Sequence, residues 1–234
     1  MGRYLTQLDP TNLRFPDPET ALTQPNGLLA LGGDLSPARL LIAFQSGIFP
    51  WSDAHHPLLW WSPDPRCVLH PERFHASRSL QRTLRRQPIT VTLNHAFKEV
   101  IMACAGPRSY TDQTWISNDL MEACHRLHQQ GHAHSVEVWR DGQLCGGLYG
   151  IGIGQLFCGE SMFSLSADAS KIAMLALSQH LLAHGGRLVD CQLPTPHLCS
   201  LGAEIISRAQ YLQSVRVLGQ QPMSAHCWDP QRLI

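Results

Sequence analysis

The stretch from residue 134 to residue 192 constrains the fold more than any other part of the chain. HSVEVWRDGQLCGGLYGIGIGQLFCGES alternates β-branched, aromatic and aliphatic residues with turn signals, and its Asp-Gly pair suits a tight hairpin. This predicts three strands in an antiparallel meander. ADASKIAMLALSQHLLAH follows as an amphipathic helix stopped by Gly185-Gly186, and RLVDCQL returns as a strand. Strand, helix and strand make one crossover unit, so the domain built on this stretch is α+β. Upstream, SRSLQRTLRR reads as a helix, ITVTL as a strand, and HAFKEVIMACAG and NDLMEACHRLHQQG as helices, the last closed by Gly131.

The first 65 residues are punctuated differently. PNGLLALGGD and FPDPET carry breakers every few positions, which predicts turns. One helix stands out: Ser36 is a natural N-cap, Pro37 suits the first turn, and ARLLIAFQS runs on to Gly47. We therefore expect a small irregular N-terminal domain over 1–65 and a larger α+β domain over 66–234. The Trp60-Trp61-Ser62-Pro63-Asp64-Pro65-Arg66 run reads as the linker.

Composition narrows the function classes. The eight cysteines contain no Cys-x-x-Cys pair, so neither a zinc ribbon nor a disulfide scaffold is indicated, and reduced thiols in a cytoplasmic protein are expected. The N-terminus lacks the apolar core of a secretory signal, and no run approaches a membrane span. His125, His128, His132 and His134 resemble a metal cluster, but no Cys or carboxylate completes a site in fixed register, so no metal is expected.

Formal net charge is zero, a mild argument against a nucleic-acid partner. Its distribution argues the other way. Arg78, Arg82, Arg85 and Arg86 fall on one helical stripe without an acid between them, a pattern that suits phosphates as well as a solvated face.

Three further groupings stand out. Asp190 and Gln192 sit at i and i+2 on a strand, side by side with Cys191 pointing away; two polar groups on a core strand serve either a ligand or each other. Gly159-Glu160 interrupts a strand, and such a glycine marks a bulge or a close approach, with Glu160 free to meet an amine or simply to face solvent. Leu148, Phe157, Met174, Leu177, Leu181 and Val189 share an apolar face that periodicity alone assigns to core.

Taken in order, PNGLLALGGDLSPARLL, GIFPW, LLWWSPDPR, TWIS, HRLHQQGHAHSVEVW, GGLYG, LFCGESMFS, ASK and LVDCQL resemble the motifs of the leucyl/phenylalanyl-tRNA–protein transferases. The similarity runs from about residue 15 to about residue 212. The resemblance implies a GNAT-like C-terminal domain, with the N-acetyltransferase superfold, behind the small N-terminal one. The glycine-rich pyrophosphate loop of a CoA-dependent enzyme is replaced here by SMFSLSADASK, so no cofactor is expected.

The same resemblance implies a cytoplasmic monomer, away from membranes, that moves Leu, Phe and Met from aminoacyl-tRNA to proteins with N-terminal Arg or Lys, marking them for degradation. It makes Gln192 and Asp190 the catalytic pair and Glu160 a carboxylate near the reacting amine. Leu148, Phe157, Met174, Leu177, Leu181 and Val189 become a pocket for the donor side chain. Trp51 and Gly159 lie near the terminal adenosine, Trp115 helps build the site, and the arginine stripe holds the acceptor stem. Phe44 and Cys124 stand where the family pattern has tyrosines, and Leu177 where it has phenylalanine.

Overall fold

In the computed structural model, residues 5–52, 57–86, 88–106 and 114–234 are described. The chain begins with β1 (Thr6–Leu8), β2 (Leu28–Gly32), helix α1 (Pro37–Gln45), β3 (Phe49–Pro50) and β4 (Leu59–Trp61). Ser36 caps α1 as expected, its hydroxyl accepting from the Arg39 N–H. The four short strands form a sheet of order β1-β2-β4-β3.

The N-terminal region is thus more regular than its breakers suggest. The Trp60-Trp61 run is strand, not linker: Trp60 is fully buried, and its indole N–H donates to the Gly32 carbonyl at 2.9 Å. Turn-rich spacing hid strands of two to five residues, too short for a period to show.

The rest of the chain gives β5 (Arg66–Leu69), α2 (Arg78–Arg86), β6 (Ile89–Leu93), α3 (Phe97–Ala105), α4 (Asn118–Gln129), β7 (Ala133–Arg140), β8 (Gln143–Ile153) and β9 (Leu156–Ser164). Then come α5 (Ala169–His184), β10 (Leu188–Gln192), α6 (Pro196–Ser200), β11 (Glu204–Ile206), α7 (Arg208–Leu218) and β12 (Gln231–Arg232). They build an eight-stranded sheet of order β11-β5-β10-β9-β8-β7-β6-β12. β6 to β9 are the antiparallel meander, and α5 carries the chain across to β10, which pairs parallel with β9. This is the α+β arrangement expected, a meander followed by a crossover helix and a parallel strand.

Alternate residues of β8 feed two cores. Leu148 faces Phe157, Met174, Leu177 and Val189 on the α5 side, while Tyr149 and Ile151 face Phe97, Leu120 and Leu127 on the α3/α4 side. The second core also takes in Leu40 and Phe44 of α1. The N-terminal sheet and its helix are therefore seated on the large sheet, not tethered beside it.

Candidate active site

β9 and β10 run together only briefly. Their pairing ends at Asp190 opposite Cys158, after which β9 continues against β8 alone and a cavity of about 770 Å³ opens where the strands part. Two irregularities shape its mouth. The β8–β9 register shifts between Tyr149 and Gly150, leaving Glu160 as the extra residue after Gly159, the bulge that the glycine predicted. Gly150 makes this possible, because a Cβ there would lie 2.2 Å from the Cys158 carbonyl oxygen and 2.6 Å from the Phe157 ring.

The second irregularity is in β10. Asp190 pairs with Val68 and Gln192 with the adjacent Cys67, so Cys191 is bulged, and Gln192 takes a left-handed backbone with φ of 61°. A bulge re-aims side chains. Asp190 and Gln192 consequently do not stand as simple strand neighbours; each enters its own hydrogen-bond network.

Asp190 is fully buried. Its Oδ1 accepts from Arg66 Nε at 2.8 Å and from the Gln192 backbone N–H at 2.9 Å. Its Oδ2 accepts from Arg66 Nη2 at 2.6 Å and from the Tyr211 hydroxyl at 2.7 Å. A carboxylate offers about four lone-pair sites, and all are used. Burial works against the Arg66 cation, but Asp190 beside it prevails and holds the guanidinium's pKa above its ordinary value. The guanidinium also lies over the rings of Phe49 at 4.8 Å and Tyr211 at 4.3 Å. Burial, with the Asp190 charge, pushes the Tyr211 phenol up, so it serves as a donor.

Gln192 faces the other way. Its side-chain Nε2 donates to Glu160 Oε1 at 2.8 Å, and among the described residues its Oε1 accepts no hydrogen bond. Glu160 is 8% exposed. Burial pushes its pKa up to about 8, against the opposing pull of the Gln192 hydrogen bond.

Of the residues singled out in the sequence, Leu148, Phe157, Met174, Val189, Trp115, Gly159, Glu160, Asp190 and Gln192 all border the cavity. Leu177 and Leu181 do not. They lie further along α5, wholly within the core behind the wall, since only the first turns of the helix reach the parted strands. Trp51 also lies off the wall, 42% exposed after β3 and 5.6 Å from the Trp61 ring. Arg78, Arg82, Arg85 and Arg86 are exposed on α2, which rests on α5 and is tied to its start by a Thr83–Asp168 hydrogen bond. Asp168 stands at the N-terminus of α5 with its carboxylate on Lys171 Nζ at 2.8 Å; an acid there disfavours a pyrophosphate.

Arg66 and Tyr211 were missed as site residues. An arginine opening the apolar strand Arg66–Leu69 does carry a signal, because a cation on a buried strand requires an anion. Tyr211 gives none, being one of several core positions on α7.

Residues 68–216 match the leucyl/phenylalanyl-tRNA protein transferase family, and residues 33–64 match its N-terminal domain. A leucyl/phenylalanyl-tRNA–protein transferase from Aeromonas hydrophila is 53% identical over 229 residues, covering 98% of this chain and 97% of that one. Another from Tolumonas auensis is 53% identical over 233 residues, covering 100% and 99%. Among solved structures, a GCN5-related N-acetyltransferase from Kribbella flavida superposes over 70% of this chain and 58% of its own, at 14% identity and a TM-score of 0.38. So loose a superposition carries no further argument. Among the described residues, no helix is long and apolar enough to cross a membrane.

Proposed function

The chain belongs to the leucyl/phenylalanyl-tRNA–protein transferase family, and from that premise we propose that it moves Leu, Phe or Met from charged tRNA to the α-amino group of acceptor proteins beginning with Arg or Lys. The product's new N-terminal residue marks it for degradation in the cytoplasm, and the enzyme acts as a monomer. The observation that carries the reading is an apolar cavity whose mouth holds the Gln192 amide, oriented by Glu160 through Nε2 and by Asp190 through its backbone N–H.

The donor's side chain enters between Leu148, Phe157, Met174 and Val189, where apolar contact discriminates by only about 1–3 kcal/mol per methylene-sized difference. That is compatible with several donors. The aminoacyl ester is already activated, so positioning dominates the catalysis. The acceptor amine attacks the ester carbonyl, the new C–N bond forms, the C–O bond to the ribose breaks, and the proton shed by nitrogen ends on the departing ribose hydroxyl. Gln192 Oε1 accepts a hydrogen bond from the amine and aligns its lone pair.

Glu160, raised to about 8, lies near the ordinary α-amine range of about 7.7–8.0, so an incoming ammonium can share its proton there at small cost. Asp190 has no free lone pair for the amine and acts by holding Gln192, a positioning residue. The exposed arginines of α2 track the acceptor-stem phosphates.

Transfer of radiolabelled leucine from leucyl-tRNA to a model protein beginning with Arg tests this. Label should reach the free-amine acceptor but not one beginning with acetyl-Arg, and Gln192→Ala should lower the rate about 100-fold, as misplacement of a reactant does. Full turnover by Gln192→Ala would overturn the role given to the amide, and no transfer from any of the three donors would overturn the activity.

A further inference from the structure

The far end of α5 carries a second constellation, none of whose members borders the cavity. His180 and His184 lie one turn apart on the helix, and Cys227 of the C-terminal tail folds back onto them, so that one ligand-competent atom from each lies within 4.8 Å of the others. His180 Nε2 and Cys227 Sγ are 3.5 Å apart. Two ligands bound to one zinc ion at about 2.0–2.1 Å (N) and 2.3 Å (S), at a tetrahedral angle, lie about 3.6 Å apart. The spacing already matches.

The tautomer of His184 is also set. Its Nδ1 lies 2.9 Å from the His180 carbonyl oxygen, a bond only Nδ1–H can make, which leaves the lone pair on Nε2. Metal-ligating histidines characteristically donate their other N–H to a carbonyl in this way. Cys227 and His180 are buried while His184 is half-buried, so an ion has a route in and a solvent-facing position remains.

We propose that His180, His184 and Cys227 form a zinc(II) site completed by one water, which pins the C-terminal tail to α5. A thiolate with two imidazoles favours zinc over hard cations such as magnesium and calcium. On binding, the Cys227 thiol gives its proton to solvent. His180 Nε2, now 2.7 Å from the Cys227 carbonyl oxygen, exchanges that bond for the metal and its ring proton moves to Nδ1. The tail has a structural task that such a pin would serve. Trp228 stacks on His134 at 3.9 Å, and β12 pairs with β6 through Gln231–Leu93 and Arg232–Thr92, replacing part of the exposed edge of β6 with a two-residue edge strand.

The test uses the full chain stripped with chelator and titrated with Co²⁺ alone, then with Zn²⁺. One equivalent of Co²⁺ should give a thiolate-to-cobalt charge-transfer band and intense tetrahedral visible bands, all displaced by Zn²⁺, and Zn²⁺ should raise Tm. Cys227→Ser should abolish the charge-transfer band. His184→Ala, at a half-exposed position that leaves folding intact, should weaken binding by more than the roughly 10- to 100-fold that loss of even an outer-shell partner costs. Absence of the band from the unsubstituted protein, or its persistence in Cys227→Ser, would overturn the site.

Discussion

Two buried carboxylates meet at the mouth of the cavity, and their surroundings divide the labour. Asp190 receives four hydrogen bonds and a full cation. Glu160 receives the single bond from Gln192 and has no cation within bonding distance among the described residues. Asp190 therefore has no bonding capacity left for a substrate and functions as a fastener, joining β5, β10 and α7. Glu160 keeps spare acceptor sites beside open space, with a proton held up to about pH 8. Residue type and burial are shared; the number of donors separates scaffold from chemistry.

The sharpest way to break this comparison is to remove the cation. Arg66→Ala leaves Asp190 buried with its charge uncompensated, which should cost about 3–5 kcal/mol of stability, read as a fall in the urea midpoint. Glu160→Gln still offers a side-chain carbonyl oxygen to the Gln192 amide N–H and should move the midpoint far less at pH 6. Equal losses would show that both carboxylates are structural.

A smaller cut is Tyr211→Phe, which deletes one of four donors and keeps the ring beneath the guanidinium. Hydrogen bonds to charged groups are worth about 1.5–3 kcal/mol, so unfolding should record a loss of that size. Transfer at a temperature where the variant is folded should stay within a few fold, because the Gln192 N–H still has Asp190 Oδ1. A rate loss like that expected for Gln192→Ala would instead place the phenol in the reaction.

Sequence patterning shows how unevenly such a division can be read in advance. The meander and α5 were legible because strands of 8 to 11 residues and a helix of 16 show their periods, and β10 because its apolar run follows the Gly185-Gly186 stop of α5. Residues Leu148, Phe157, Met174 and Val189 were legible as one apolar face, and the structure brings them to the cavity. The separation of Asp190 from Gln192 was not, since a bulge at Cys191 follows from tertiary pairing with β5 and leaves no local mark. Nor was the limit of the cavity along α5: Leu177 and Leu181 have the same period as Met174, and only the point at which β9 and β10 part decides which of them meets open space. The grouping of His180, His184 and Cys227 was hidden for a simpler reason, that its third member arrives from the tail.

The mildest perturbation is pH, and its sign follows from Glu160 alone. Its folded pKa is about 8 against an ordinary 4.5. Between those values the unfolded chain has released the proton that the folded chain retains, so the folded state binds more protons and stability falls as pH rises. The contribution is complete below about pH 4.5 and is lost as pH passes through 8, with a slope approaching about 1.4 kcal/mol per pH unit. Other groups titrate over the same range, so the informative quantity is the unfolding free energy of the wild type minus that of Glu160→Gln, measured by urea denaturation at intervals from pH 5 to 9. Glutamine has no proton to lose, so the difference should fall steadily toward pH 8 and then level. A flat difference would mean that Glu160 ionises in the folded protein at its ordinary pKa, and the contrast between a saturated and an open carboxylate would lose its electrostatic half.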